Sequence, residues 1–338
     1  MKILNVDSTR LVPSFRELGH DVVTVGFSEG CDIVVTSPRK AQKLYEQVCS
    51  AGFVPDCLFW CDLSNLPYLP GIEELPCATV HYSIDTYCQI WHFGFANAFD
   101  AVFVAQKDHV PMFPHERVQV RWLPLCAPDS AELLPMGERD IPVSFVGTRK
   151  HPNNPDREGF LQGFRRAQPL FIHSGAYEDI FCRSKIALNQ TACSEVNYRC
   201  FEAMSCGAAL LMEHCHHGLE ELFTPGVNIL PLYVRNNWQQ AAEIAAAALA
   251  EPERLAEIAA NGRDLVMRQH LARHRAVEVV NTLESLLREE ASKQRLEQLD
   301  TRRAFIASSY DMLGIELTGR LSDVYSEYYF SLAGRTKE

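Results

Sequence analysis

The segment 184–226, SKIALNQTACSEVNYRCFEAMSCGAALLMEHCHHGLEELFTPG, holds the residues best suited to chemistry. A short apolar run at 186–189 leads into a polar loop, then into a helical stretch at 198–206 closed by Gly207. The start of such a helix exposes unsatisfied backbone N–H groups at the positive end of its dipole, a seat for phosphate. Asn197 stands at that entry. Arg199 falls in the first turn, where a guanidinium can grip a diphosphate with two hydrogen bonds. Glu195, Arg199 and Glu202 follow at i, i+4 and i+7, and share one face if the helix begins early enough. A carboxylate at Glu202 can accept two hydrogen bonds from the vicinal hydroxyls of a ribose. The same spacing also laces a solvated helix face with salt bridges, and spacing alone does not separate the two.

A second group lies in the first half, in HYSIDTYCQIWHFG. It follows an apolar run, so His81, Asp85 and His92 are candidates to take a proton from, or orient, an acceptor hydroxyl. The alternatives are a hydrogen-bonded interior histidine at 81 and a helix cap at Asp85. The run His214-Cys215-His216-His217 invites a metal reading. Consecutive histidines rarely converge on one ion, and no second cluster has ligand spacing nearby, so no metal is expected. Among the cysteines around the first segment, Cys200 and Cys206 should pack inward, whereas Cys193 sits in the loop.

The elements that must position these residues alternate between strand and helix. Apolar or β-branched runs occur at 2–6, 22–26, 32–36, 57–61, 78–84, 101–105 and 120–125. Such short, nearly continuous runs separated by helical stretches (39–51, 108–113) mark a parallel sheet covered on both faces. Turn residues crowd 124–142, including Pro128, Pro135, Gly137 and Pro142, and the seam between domains is placed there. The alternation then restarts, with strands expected at 143–146, 170–173, 186–189, 209–212 and 228–232. From 236 to 299 the chain reads as helix, with Pro252 in a first turn and Gly262 at a break. The aromatic tail, 302–338, is expected to fold back over other elements.

This gives an α/β protein of two Rossmann-like domains facing across a cleft, with C-terminal helices: 1–135, 140–280, and a helical segment 281–338 packing back. The composition agrees. The 338 residues suit about two domains. A net charge of −11 argues against a nucleic-acid partner, which needs a surplus of Lys and Arg. The twelve cysteines include no Cys-x-x-Cys pair and fit small buried hydrophobes in a reducing, cytoplasmic setting. No export signal and no transmembrane segment is expected.

The run N-x-R-x-x-E-A-M-x-C-G-A, then G-L-E-E-L-F-x-P-G, resembles the C-terminal domain of GT-B-fold glycosyltransferases. It is most similar to the branch related to spore maturation protein B-like and group 1 enzymes. Asn197, Arg199, Phe201, Glu202, Ala203, Gly207 and Ala208 carry the likeness. It extends to SFVGTRKHPNNPDREGF, with Gly147, Arg149 and Arg157, and to His270, His274 and Arg275 in QHLARHR. The resemblance implies transfer of a sugar from a nucleotide sugar, such as a UDP-sugar, to an acceptor. That acceptor is a glycan, lipid, protein or small molecule. It implies no obligatory metal and no cofactor beyond the donor. Glu202 would hold the ribose. Arg199, Asn197 and the end of the strand at Gly147, with Arg149 or Arg157, would meet the diphosphate. The acceptor would lie near His81 and Asp85. Two departures stand out. Glu195 and Glu202 have six residues between them where better-known members have seven. The Gly-rich loop after the first strand is replaced by Val6-Asp7-Ser8-Thr9-Arg10. Both departures motivate the alternative of a catalytically inactive, glycosyltransferase-like binding or assembly subunit.

Overall fold

Eleven short apolar runs become eleven parallel strands in the computed structural model, which describes residues 1–134 and 137–334. Pro135, one of the turn residues of the expected seam, lies outside the described residues. The chain divides into two compact units. One comprises Met1–Leu123 together with the chain from Ala276 onward; the other is Pro124–Arg275.

The first unit holds β1 (Lys2–Asp7), β2 (Asp21–Gly26), β3 (Ile33–Val34), β4 (Cys57–Cys61), β5 (Ala78–Ser83), β6 (Ala101–Val104) and β7 (Gln119–Trp122). They form one sheet in the order β3-β2-β1-β4-β5-β6-β7. Every residue of β4, β5 and β6 is buried, because helices and loops cover both faces of a parallel sheet. The tail folds back within this unit as the helices Leu299–Leu317 and Asp323–Leu332, and Ile306, Tyr310, Leu313 and Tyr329 enter the core beside Trp60 and Phe95. Arginines pin it. Arg302 donates to the carbonyls of Asn97 (3.0 Å) and Phe99 (2.9 Å). Arg295, fully buried, pairs with Asp100 and donates to Thr79 Oγ1 at 2.7 Å.

The second unit holds β8 (Ile141–Val146), β9 (Phe171–His173), β10 (Ser184–Asn189) and β11 (Ala209–Met212), ordered β11-β10-β8-β9. The fifth strand expected at 228–232 does not form. Leu230 and Tyr233 donate to the carbonyls of Leu210 and Met212, so the segment runs beside β11. Pro231 has no N–H to continue the ladder, and only isolated bridges result. Gly262 is likewise no break: it lies inside the helix Pro252–Gln269. A Cβ there would stand 2.5 Å from the Asn228 carbonyl, so the missing side chain permits a close approach between helix and loop.

Candidate donor site in the second unit

β8 and β10 are neighbours and parallel, so their carboxyl ends open on the same side. β10 ends at Asn189 and is followed by the polar Gln190-Thr191, and Gly147-Thr148 follow β8. Two arginines reach this edge. Arg199 donates from Nε to the Val146 carbonyl (2.7 Å) and from Nη1 to Asn189 Oδ1 (2.7 Å), and its guanidinium carbon lies 4.8 Å from the centre of the Phe145 ring. Arg157, nearly fully buried, donates from Nε to Gln190 Oε1 (2.8 Å) and to the carbonyls of Thr148 and Gln190 (both 3.1 Å). It lies 5.9 Å from the same ring. Burial, and then the neighbouring Arg157, lowers the affinity of Arg199 for its proton. An arginine stays cationic under such a shift. Among the described residues Arg199 makes no ion pair: its partners are a carbonyl and a neutral amide. The residue as a whole is half-buried, with its guanidinium held against the ends of β8 and β10.

Gly147 belongs to this arrangement. Its φ is +151°, backbone open to glycine, and a Cβ would fall on Arg199 Nη2. The expected meeting of Gly147, Arg157 and Arg199 is therefore what the chain builds. Arg149 stands apart, exposed and paired with Glu158 at 3.2 Å.

Glu195 does not share a helix face with Arg199 and Glu202. The helix starts at Tyr198, leaving Glu195 in the preceding loop. There it is buried and accepts from the backbone N–H groups of Ala192 (3.0 Å) and Cys193 (2.5 Å). It shapes the loop. Asn197 occupies the N-cap, and its amide pairs reciprocally with that of Asn189. Glu202 lies half-buried one turn into the helix. Cys200 is buried, and desolvation pushes its thiol up to about 12; Cys193 is half-buried.

Sequence reasoning missed the residues that fix the loop. Glu213, one residue past β11, is fully buried, accepts from the Thr191 N–H (3.1 Å) and hydroxyl, and pairs with Arg235 at 3.0 Å. Arg235 also donates to Ser194 Oγ (2.6 Å) and the Ala192 carbonyl (2.9 Å). An acidic residue closing the apolar run Ala-Leu-Leu-Met is the signal that pointed there. QHLARHR also has a structural task. Arg275 donates to the Pro124 (2.6 Å) and Leu125 (3.1 Å) carbonyls and contacts His270 Nδ1 at 2.7 Å. The Leu271 N–H donates to His274 Nδ1 at 3.0 Å. Among the described residues no group of three His, Cys, Asp or Glu side chains is placed to hold a metal ion; His214 and His216 meet edge to face.

In the first unit, His81 is not at the sheet's edge. It lies in mid β5, stacked on Phe99 with ring centres 5.0 Å apart and edge-on to His92 at 4.9 Å. Desolvation, with His92 beside it, lowers its pKa to about 3, so it is a neutral packed histidine, not an acid–base group. His92 is equally buried, its pKa lowered to about 3 by desolvation, and bonded to Ser83 Oγ at 2.7 Å. Asp85 does lie past the carboxyl end of β5. Its N–H donates to Asp62 at 3.0 Å, and Ser64 Oγ donates to its carboxylate. Asp7 ends β1 with φ +66°, the conformation a glycine supplies in a Gly-rich turn. It accepts from Trp60 Nε1 (2.8 Å), Tyr68 OH (2.9 Å) and Asn65 Nδ2 (3.1 Å). Burial outweighs these donors and raises its pKa to about 6.

Residues 135–281 match the model of a family described as glycosyl transferase-like. Over that segment, less than half of its length, the chain is similar to glycosyl transferase-like domains. The match is at that level, not at that of the spore maturation branch. Solved structures show the same fold across most of the chain. Crystal structures of HepE from Anabaena, one with UDP and glucose, superpose with a TM-score of 0.62 at 13% identity over 85% of this chain and 100% of theirs. A glycosyltransferase from Rickettsia africae gives 0.63 at 10% identity, covering 85% of this chain and 98% of that one. Sucrose-phosphate synthase from Thermosynechococcus elongatus gives 0.60 at 12% identity, covering 86% and 100%. No curated protein sequence matches. The fold shared with these structures is GT-B, with two Rossmann-like units. Among the described residues no helix is long and apolar enough to cross a membrane.

Proposed function

We propose that the chain transfers a sugar from a nucleotide sugar to an acceptor, with the donor held by the second unit. One observation carries the reading. Arg199, a cation bound only to neutral acceptors, is fixed beside the glycine-only Gly147 at the carboxyl ends of two adjacent parallel strands, inside the glycosyltransferase segment. Ligands of open α/β sheets sit at those ends.

In this reading Arg199 and the first turn of the helix Tyr198–Ser205 meet the diphosphate, with Arg157 behind them. As the bond between sugar and diphosphate breaks, charge grows on the departing oxygens. A cation already held in place stabilises that charge without reorganising. These groups would do the work for which other enzymes use a metal, and no cofactor beyond the donor is invoked. Glu202 would accept from the ribose hydroxyls. UDP, the nucleotide in the HepE crystals, is the first donor nucleotide to try. Asp85, past the end of β5, is the group we assign to the acceptor hydroxyl. We also place the protein in a reducing, cytoplasmic setting, where its twelve cysteines would remain thiols.

The experiment is a thermal-shift panel of nucleoside diphosphates and their sugars. A ligand at a hundred times its Kd should add about 2.7 kcal/mol of stability. If none stabilises the protein, the donor reading fails. Donor turnover by wild type but not by Glu202→Ala supports catalysis with Glu202 on the donor. A donor that binds without turnover with any acceptor would make the chain a binding subunit.

A further inference from the structure

A cavity of about 330 Å³ lies at the amino-terminal ends of β8 and β10, the end of the sheet away from Arg199. That volume falls within the range of small-molecule sites. One wall is a face of the helix Pro252–Gln269, where Leu255, Ala256, Ala259 and Ala260 follow at i, i+1, i+4 and i+5; Leu249 of the preceding helix extends it. Ala256 and Ala260 are exposed, so no described residue covers this apolar face there.

Gly207 and Pro252 add to the uncharged lining, and its charged side chains are all cationic: Arg139, Lys185 and Arg263. Among the described residues no carboxylate lines the cavity. In a chain of net charge −11, that is a local reversal of sign. Arg139 is anchored by the carbonyls of Phe181 (3.1 Å), Ser184 (2.6 Å) and Cys206 (2.7 Å). Arg263 donates from Nε to the Ser205 carbonyl at 3.1 Å, which fixes the guanidinium and leaves both terminal nitrogens without a partner among the described residues. The Lys185 ammonium is exposed and likewise has none. A tethered guanidinium and an exposed ammonium over an apolar wall match one kind of ligand, a compact anionic head on an apolar body.

We propose that this cavity binds an amphiphilic anion, with a phosphate monoester or carboxylate head at Lys185 and Arg263 and its carbon chain along Leu249, Leu255, Ala256 and Ala259. The site is independent of the donor reading, since it uses none of the donor residues. The test is titration calorimetry on the full chain with hexyl phosphate and hexanoate, against inorganic phosphate and hexanol as half-ligands. At least one amphiphile should bind about tenfold or more tightly than either half. The better of the two identifies the head group. The double variant Lys185→Gln, Arg263→Gln should melt like wild type and lose about tenfold in affinity for that probe, whereas Arg199→Ala should bind it unchanged. The proposal is overturned if inorganic phosphate or hexanol binds as well as the amphiphiles, if none binds, or if the double variant keeps full affinity. Loss of binding in Arg199→Ala would also overturn it, because the anion would then occupy the donor site.

Discussion

Gly147→Ala should cost far more than a methyl group ordinarily does, and its cost should depend on Arg199. Two terms add. At φ +151° an alanine carries backbone strain of roughly 1–3 kcal/mol. The new Cβ also falls on Arg199 Nη2, so the guanidinium must leave. Leaving forfeits its hydrogen bonds to Val146 and Asn189, each a bond from a charged donor worth roughly 1.5–3 kcal/mol. The total is about 4 kcal/mol or more, a large part of a typical domain's stability. In an Arg199→Ala background the second term vanishes, and the glycine substitution should then cost only the strain. Urea melts of wild type, both single variants and the double variant close a double-mutant cycle, and a coupling of about 3 kcal/mol is expected. Equal cost of Gly147→Ala in both backgrounds would refute the claim that the glycine exists to admit this arginine.

Three further outcomes follow from the first unit. Asp100→Ala leaves the fully buried Arg295 cation without its carboxylate and should destabilise by about 3–5 kcal/mol in denaturant melts, whereas the joint apolar replacement Asp100→Leu, Arg295→Met should cost much less. Asp7 has its pKa raised from 3.8 to about 6, so its protonated form favours folding below the unfolded value and that contribution is lost as pH rises through about 6. Melts of Asp7→Asn between pH 4 and 7 should therefore fall less steeply with pH than wild type; an unchanged slope would place that carboxyl in water. His81→Phe should keep transferase activity within about twofold, and should lessen the loss of stability as pH falls from 6.5 toward 3, the window set by its lowered pKa. Collapse of activity in a well-folded His81→Phe protein would restore that histidine to the chemistry.

The sheet cores were legible because a parallel strand buried on both faces shows as an unbroken apolar run, and Cys57–Cys61 or Ala209–Met212 can hardly be read otherwise. Legibility failed where one residue changes what a segment can bond. Pro231 spoils a ladder that the surrounding apolar residues invite. Gly262 looks like punctuation, but it serves a tertiary contact with Asn228. At the candidate site, residue types were easier to read than partners. Gly147, Arg157 and Arg199 come together as the strand ends require. The spacing of Glu195 gave no hint that it turns back on its own loop, because the start of the helix at Tyr198 decides that. Glu213 and Arg235 lie 22 residues apart and meet because the segment ending at Tyr233 runs beside β11. QHLARHR shows the opposite error: its histidines and arginine look chemical, yet they tie a helix start to Pro124 and Leu125.

The central claim is that Arg199 is the diphosphate contact of a nucleotide-sugar site. Calorimetry of UDP and of uridine against wild type and Arg199→Ala tests it most directly. Removing a charged donor from an anion should weaken UDP by roughly 1.5–3 kcal/mol, about ten- to a hundredfold, and leave uridine unchanged. Equal losses on UDP and uridine, or UDP affinity untouched by the substitution, would contradict the account.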